Sequence, residues 1–381
     1  MTKPSVFCAL AAMTFAAAPQ ALKAADASHH QITTFDPPGA GTAAGQGTFP
    51  QQNLNSGAIV GYYVDAKNVA HGFIRSADGN YTTIDVPYME AAGTQAYGIN
   101  HKGTAVGWWF EANGVYHGYL RDDHGDFTTF DVPGAAPLQS QAGSPLVVIP
   151  LPLAINRGGT VTGSYVDQYN VIHCFVRSRD GRIDTFDAPD AGTGSGQGTI
   201  GDTNGINRAG AISGGYFTAD GVAHSFVRDP EGAITSFDGP GAGTTKGNGS
   251  VAQMINDAGT IPGVSLDNNG LNHAFIRYSD GTFVTFDVTG AGTASGQGTL
   301  ATTTNVAGIT AGNYFDANGV GYGFVRFRDG RITTFDVKGQ GSSLGQGVTA
   351  INSINDEGAA VGWYVDAKGA YHGFIYQSED D

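Results

Sequence analysis

The chain has 381 residues, a formal charge of −15 and 59 glycines, with only 14% charged residues. An acidic surface argues against nucleic acid and anionic membranes as partners, which need a positive face; it favours solubility and, weakly, cations. No Gly-x-y period exists, which excludes collagen, and β-branched and aromatic residues recur too regularly for disorder.

The first segment has the form of an export signal. Lys3 precedes an apolar run from Val6 to Ala18, and Ala25-Asp26-Ala27 offers an A-x-A cleavage site, with Leu22-Lys23-Ala24 as a nearby alternative. The run is short for a membrane span, and Cys8 stands too early for a lipidated cysteine. Residues 1–27 are therefore expected to be a signal peptide and residues 28–381 the mature domain, secreted or periplasmic. The mature chain would carry 17 basic against 33 acidic residues. It would keep one cysteine, Cys174, so no intrachain disulfide is possible, and stability must come from burial.

A repeat then fills the chain. A Phe-Asp or Ile-Asp ending falls at Asp36, Asp85, Asp131, Asp187, Asp238, Asp287 and Asp336, with gaps of 49, 46, 56, 51, 49 and 49 residues. Periods of this size mean a solenoid or a propeller. Each unit divides into four β-like runs. In the second copy these are Ala96–Asn100, Thr104–Phe110, Val115–Arg121 and Asp126–Asp131. Asn-x-x-Gly joins runs one and two, as at Asn100, Asn207, Asn256 and Asn355; Asn55, Asn156 and Asn305 are assigned the same place. Asparagine caps its own turn and tolerates a left-handed backbone. Asp-Gly or a relative joins runs three and four, as at Asp78-Gly79, Asp180-Gly181 and Asp280-Gly281, a strong hairpin signal.

Four antiparallel strands repeated seven times predict an all-β, seven-bladed β-propeller. The final unit ends at Tyr376 with three strands. The isolated Ile32-Thr33-Thr34-Phe35-Asp36 near the start supplies its fourth and closes the ring, hiding two sheet edges. An open β-solenoid is the alternative.

The recurrent His-x-Phe-[Ile/Val]-Arg core resembles the extracellular repeat family named for its His-Ala-Phe (HAF) tripeptide. His273-Ala274-Phe275 is the literal match; His71-Gly72-Phe73, His173-Cys174-Phe175, His224-Ser225-Phe226 and His372-Gly373-Phe374 are close variants. His117-Gly118-Tyr119 and Tyr322-Gly323-Phe324 depart from it. The resemblance covers nearly the whole mature chain and implies a secreted bacterial protein of repeated β units, with no established reaction.

The conspicuous polar residues have scaffold explanations. The six repeated histidines sit about fifty residues apart on separate units, too dispersed to converge on one metal ion; each is expected to be buried and to pair with the Asp of the adjacent outer strand. The connectors Gly45-Gln46-Gly47, Gly196-Gln197-Gly198, Gly296-Gln297-Gly298 and Gly345-Gln346-Gly347 precede strands, not the helix a phosphate cradle needs. They read as close backbone passages. Turns between runs two and three carry Asp65, Glu111, Asp167, Asp267, Asp316 and Asp366. Beside the connector glutamines these acids could bind calcium as a cofactor, or sugar hydroxyls; they equally fit hairpin turns.

Function is expected where the repeat fails. The apolar insertion Gln139 to Leu153 lengthens one connector, and Trp108, Trp109 and Trp363 suit sugar stacking or core packing. The reading is a binding or interaction module, expected to be monomeric, for carbohydrate or a protein partner. Gln46, Gln197, Gln297, Gln346, Trp108 and Trp363 are its candidate ligand-binding residues. A channel-mouth lyase or hydrolase would need an acid–base pair that breaks the repeat, and the lone His101 and His124 fall in turns at the opposite end. A scaffold without a small ligand is the third class.

Overall fold

The computed structural model describes residues 30–89, 91–136 and 151–378, and among them every regular element is a strand. β1 is His30–Phe35. A first group follows: β2 (Gly47–Asn53), β3 (Ile59–Val64), β4 (Ala70–Arg75) and β5 (Tyr81–Ile84). The second is β6 (Ala91–Ile99), β7 (Ala105–Glu111), β8 (Tyr116–Arg121) and β9 (Phe127–Phe130). The third is β10 (Leu151–Ile155), β11 (Val161–Val166), β12 (Ile172–Arg177) and β13 (Ile183–Phe186). The fourth is β14 (Gly198–Ile206), β15 (Ile212–Phe217), β16 (Ala223–Arg228) and β17 (Ile234–Phe237). The fifth is β18 (Gly249–Ala252), β19 (Ile261–Leu266), β20 (Asn272–Arg277) and β21 (Phe283–Phe286). The sixth is β22 (Gly298–Thr304), β23 (Thr310–Phe315), β24 (Gly321–Arg326) and β25 (Ile332–Phe335). The last is β26 (Gly347–Ile354), β27 (Ala360–Val365) and β28 (Tyr371–Ser378).

Neighbouring strands in a group pair antiparallel, as β2 with β3, β3 with β4 and β4 with β5. The last group takes β1 as its outer strand, paired antiparallel with β28 from His30↔Ser378 to Phe35↔Gly373. Five junctions between groups carry a single parallel bridge, such as Tyr371↔Gly47 and Ile172↔Gly198, while β6–β9 form a sheet of their own. Here the second glycine of each Gly-Gln-Gly is required. Gly47 has φ +118°, and a Cβ on it would overlap the Tyr371 carbonyl.

The turn chemistry follows the sequence, with one correction. Asn100 Oδ1 accepts the N–H groups of Lys102 and Thr104, closing its turn. In the first group, however, the turn opens at Leu54, whose N–H and carbonyl pair with Ala58 and Gly57. Asn55 is one position late and does not cap it. The side-chain amides also reach onward. Asn156, Asn207, Asn256 and Asn305 each donate to the carbonyl of the corresponding asparagine in the next group, at 2.8–3.2 Å. Asn355 donates to Leu54 O at 3.1 Å.

The core lies between groups. A fully buried ring on each third strand (Phe73, Tyr119, Phe175, Phe226, Phe275, Phe324, Phe374) supplies its centre. The outer-strand Phe of the preceding group meets it edge-on, as Phe35–Phe73, Phe186–Phe226 and Phe286–Phe324. An arginine two residues beyond the third-strand ring stacks over the same outer Phe, as Arg75 over Phe35 at 5.2 Å and Arg277 over Phe237 at 4.6 Å. Each ring pair adds about 0.5–1.5 kcal/mol beyond area burial, and each half-exposed cation–ring contact about 0.5–1 kcal/mol.

The histidines keep the predicted partner but not the predicted depth. His71, His117, His173, His224, His273 and His372 meet Asp85, Asp131, Asp187, Asp238, Asp287 and Asp36 through Nδ1 at 2.7–3.0 Å. Their side chains stay 17–31% exposed, because each lies at the connector end of its strand, beyond the inter-group core.

Candidate functional site

The strand register makes equivalent positions comparable across groups. The residue after the second-strand glycine is Tyr62, Trp108, Ser164, Gly215, Val264, Asn313 and Trp363 in chain order. Aromatic rings thus fill it in the last, first and second groups. Small, polar or aliphatic residues fill it in the other four.

Those rings belong to a continuous run. Trp363 meets Phe49 at 5.5 Å; Phe49 meets Tyr371 at 4.6 Å and stacks on Tyr62 at 4.8 Å; Tyr62 meets Tyr97 at 5.8 Å. Trp108, beside the Tyr97 hydroxyl, packs with Tyr116 at 4.7 Å and Phe110 at 5.2 Å. Phe49 stands in the first half of β2 and Tyr62 in the second half of β3, paired with each other, so the run lies toward the connector end. Tyr62, Tyr97 and Trp363 are half-buried, while Trp108 is 3% exposed. Burial pushes the Tyr97 hydroxyl up to about 12, where it remains a neutral donor to Gln95 Oε1 at 2.8 Å. Burial, reinforced by Tyr97, also holds Tyr62 well above the usual phenol range.

The rim beside this run is cut back. Gly93 follows Asp85 by eight positions, whereas Gly47 follows Asp36 by eleven, which accounts for the 46-residue gap. The shortened connector exposes Tyr88 and leaves Met89 fully exposed, with Tyr88 packed on Trp109 at 5.2 Å.

The glutamines serve the connectors. Gln197 Oε1 accepts Gly194 N–H and its Nε2 donates to Ala219 O, both at 2.9 Å. Gln297 repeats this with Ala294 and Ala317. Gln46 accepts from Ala43 N–H and donates to Asn68 Oδ1, and Gln346 accepts from Ser343 N–H. Turn acids are likewise engaged: Asp65 Oδ1 accepts Lys67 and Val69 N–H at 2.8 Å, and these bonds hold its carboxyl below the usual range. Among the described residues no three His, Cys, Asp or Glu converge as metal ligands. The apolar stretch Gln139–Leu153 lies outside the described residues as far as 150, and Leu151 opens β10. His101 and His124 sit on exposed turns at the end opposite the connectors.

Of the six residues singled out from sequence, Trp108 and Trp363 belong with the aromatic rings, whereas the four glutamines are bonded within four separate connectors and their adjoining turns. Sequence reading missed Phe49, Tyr62, Tyr97, Tyr116 and Tyr371. Comparing equivalent second-strand positions at a constant offset from the Phe-Asp ending, 23 residues before it in the first and second units, would have exposed Tyr62 beside Trp108.

Similarity to solved structures decides the fold class. A streptogramin B lyase matches at TM-score 0.54 and 14% identity, covering 92% of this chain and 98% of that one. The chain has a β-propeller-like fold. A prolyl endopeptidase matches at TM-score 0.55 and 9% identity; 93% of this chain aligns, spanning 51% of the peptidase. Aleuria aurantia lectin, solved with α-methyl-L-fucoside, matches at TM-score 0.45 and 11% identity over 81% of this chain and 96% of that chain. No family profile matches the sequence. No curated protein matches it either.

Proposed function

We propose that this chain is an exported, monomeric, seven-bladed β-propeller of HAF-type repeats, closed by β1, that acts as a carbohydrate-binding module. The strand groups β2–β5 through β22–β25 are six blades, and β26–β28 with β1 make the seventh. The β1–β28 ladder and the Asn355–Leu54 hydrogen bond support closure. The signal-like residues 1–27 support export.

One observation carries the ligand reading: aromatic rings occupy one equivalent position in three consecutive blades and are absent from it in the other four. Scaffold needs are shared by all blades, so a scaffold role does not explain a sector. Of these rings the half-buried Tyr62 and Trp363 offer faces for the C–H side of a sugar, while nearby half-buried amides such as Gln95 and Asn352 suit its hydroxyls. The six His–Asp pairs repeat from blade to blade, so none of them is the unique acid–base pair that the enzyme alternative calls for.

A glycan array with and without calcium, followed by calorimetry on the best glycan, tests the reading. Trp363→Ala should weaken binding about tenfold, the scale of one stacking contact, and Trp363→Phe should restore most of it. Silence of the array, or equal binding by Trp363→Ala, would overturn the carbohydrate reading.

A further inference from the structure

The fourth blade departs from the others inside the channel. Its first strand, β14, shifts register between Gly201 and Ile206: five steps along β14 face two along β15, from Gly214 to Ile212. The corresponding shift in β22 sets two steps against one. β14 therefore holds three extra residues where β22 holds one, and these two account for the 51-residue gap in the repeat. At the tip of the excursion stands Asn204, with φ +62° and 6% exposure. Left-handed backbone is uncommon outside glycine and favours asparagine.

Asn204 spans the channel. Its Nδ2 donates to Gln51 O of the first blade and Asn352 O of the last, both at 3.3 Å. Asn352 in turn donates to Pro50 O and Gln51 Oε1. These are the blades that carry Phe49, Tyr62 and Trp363. Phe49 stands two residues before Gln51 on β2, roughly 7 Å along the strand. The amide oxygen of Asn204 is buried and has no hydrogen-bond partner. Its orientation is fixed, because the amide nitrogen faces two carbonyls. A buried acceptor left unpaired is costly and gains most from a donor.

We propose that the 202–205 excursion is the floor of the carbohydrate site and that Asn204 Oδ1 is its specificity-determining acceptor, receiving a hydroxyl from a saccharide terminus. This rests on the carbohydrate reading and narrows it. The excursion closes the channel axis, so a glycan cannot thread through; it enters from the connector end and stops. An acceptor at the depth of Gln51 and Asn352 is reached only by a chain end, because an internal sugar lying across the mouth stays above it. The Oδ1 is shielded from solvent in the free chain, so the hydroxyl arrives as the excursion eases off its two long hydrogen bonds. The aromatic run then holds the ring face while Asn204 reads one hydroxyl at the tip.

The test is a double-mutant cycle on the full mature chain. The probes are methyl glycosides of D-glucose, D-galactose, L-fucose and N-acetyl-D-glucosamine, and the mono-deoxy analogues of whichever binds best. Asn204→Gly removes the side chain while keeping the backbone angle accessible; Asn204→Asp keeps an acceptor. Calorimetry gives affinities, and thermal melts confirm that both variants fold. Asn204→Gly should weaken the parent glycoside about tenfold, the upper scale of one hydrogen bond. One deoxy analogue should be weakened equally with the wild type and no further with Asn204→Gly. Asn204→Asp should retain discrimination between parent and deoxy probe.

If Trp363→Ala loses binding but Asn204→Gly binds every probe as the wild type does, the assignment of Asn204 falls and the carbohydrate reading stands. If deoxygenation and Asn204→Gly act additively, Asn204 contacts no sugar hydroxyl, and the assignment falls again. If no glycoside binds the wild type, both fall.

Discussion

The proposed ring closure through β1 makes a quantitative demand on one side chain. Phe35 is 8% exposed, lies edge-on to Phe73 at 6.4 Å and carries the Arg75 guanidinium at 5.2 Å. Its ring also fills the space over Gly373, where a Cβ would meet it at 2.8 Å. Phe35→Ala removes a buried ring and leaves a gap between the last and first blades, a change that costs about 3–5 kcal/mol in protein cores. Loss of the cation–ring contact adds about 0.5–1 kcal/mol. A mid-chain copy is the internal standard: Phe237 sits edge-on to Phe275 at 6.4 Å under Arg277 at 4.6 Å. Urea unfolding followed by tryptophan fluorescence should give Phe35→Ala and Phe237→Ala similar losses. Deletion of residues 28–36 should cost more than either, since it also removes the ladder to β28 and the Asp36–His372 pair. If Phe237→Ala costs several kcal/mol while Phe35→Ala costs less than about 1 kcal/mol, the two ends do not share a packed interface and the closure argument is wrong.

Other outcomes follow from single sites. Asp187→Ala should lower the melting temperature modestly while leaving glycan binding intact, because the His173–Asp187 pair at 2.8 Å is half-exposed and such pairs contribute at most about 1 kcal/mol; an unchanged melt would sink the pairing role. The Asp36 hydrogen bond raises the pKa of His372 above its ordinary value against an opposing burial cost. Its contribution is therefore full below the unfolded value of about 6.5 and is lost as pH rises through the higher folded value. Urea midpoints should fall across that window, and His372→Gln should flatten the fall; a midpoint rising with pH in the wild type relative to the variant would contradict it. Cys174 is fully buried, and burial pushes its thiol to about 12, so Ellman's reagent at pH 8 should label it only after urea is added, and rapid labelling of the native protein would show the site to be open.

The legibility of this chain in its sequence was uneven for physical reasons. Strand positions and turns followed directly from Asn-x-x-Gly and Asp-Gly, since those residues set local backbone geometry whatever packs around them. The Leu54 turn was misread because an asparagine happens to stand one residue later. The histidine–aspartate pairs were legible as partners, because each comes from neighbouring strands in every unit. Their depth was not, since where the inter-group core stops depends on how far the rings of neighbouring groups extend. The aromatic sector and Asn204 were hidden for a further reason: both are formed by residues far apart in sequence, and neither is a motif. Their traces in the sequence are the 46- and 51-residue gaps, which show a change of length but not which side chains it brings together.

The interfaces between strand groups have an evolutionary consequence. Most groups present a phenylalanine to the next, receive an arginine over it, and pass an asparagine amide forward to the next turn, so one interface chemistry recurs along the chain. A whole unit could be copied or lost by unequal recombination without new contacts having to be invented. With β1 paired to β28, the place where the polypeptide starts is nearly arbitrary. A permuted chain opened in another hairpin, such as Asp280-Gly281, with His30 and Ser378 joined, would keep the same neighbours. What cannot be shuffled is the aromatic sector together with Asn204, because that arrangement depends on which particular blades stand side by side and which stands opposite.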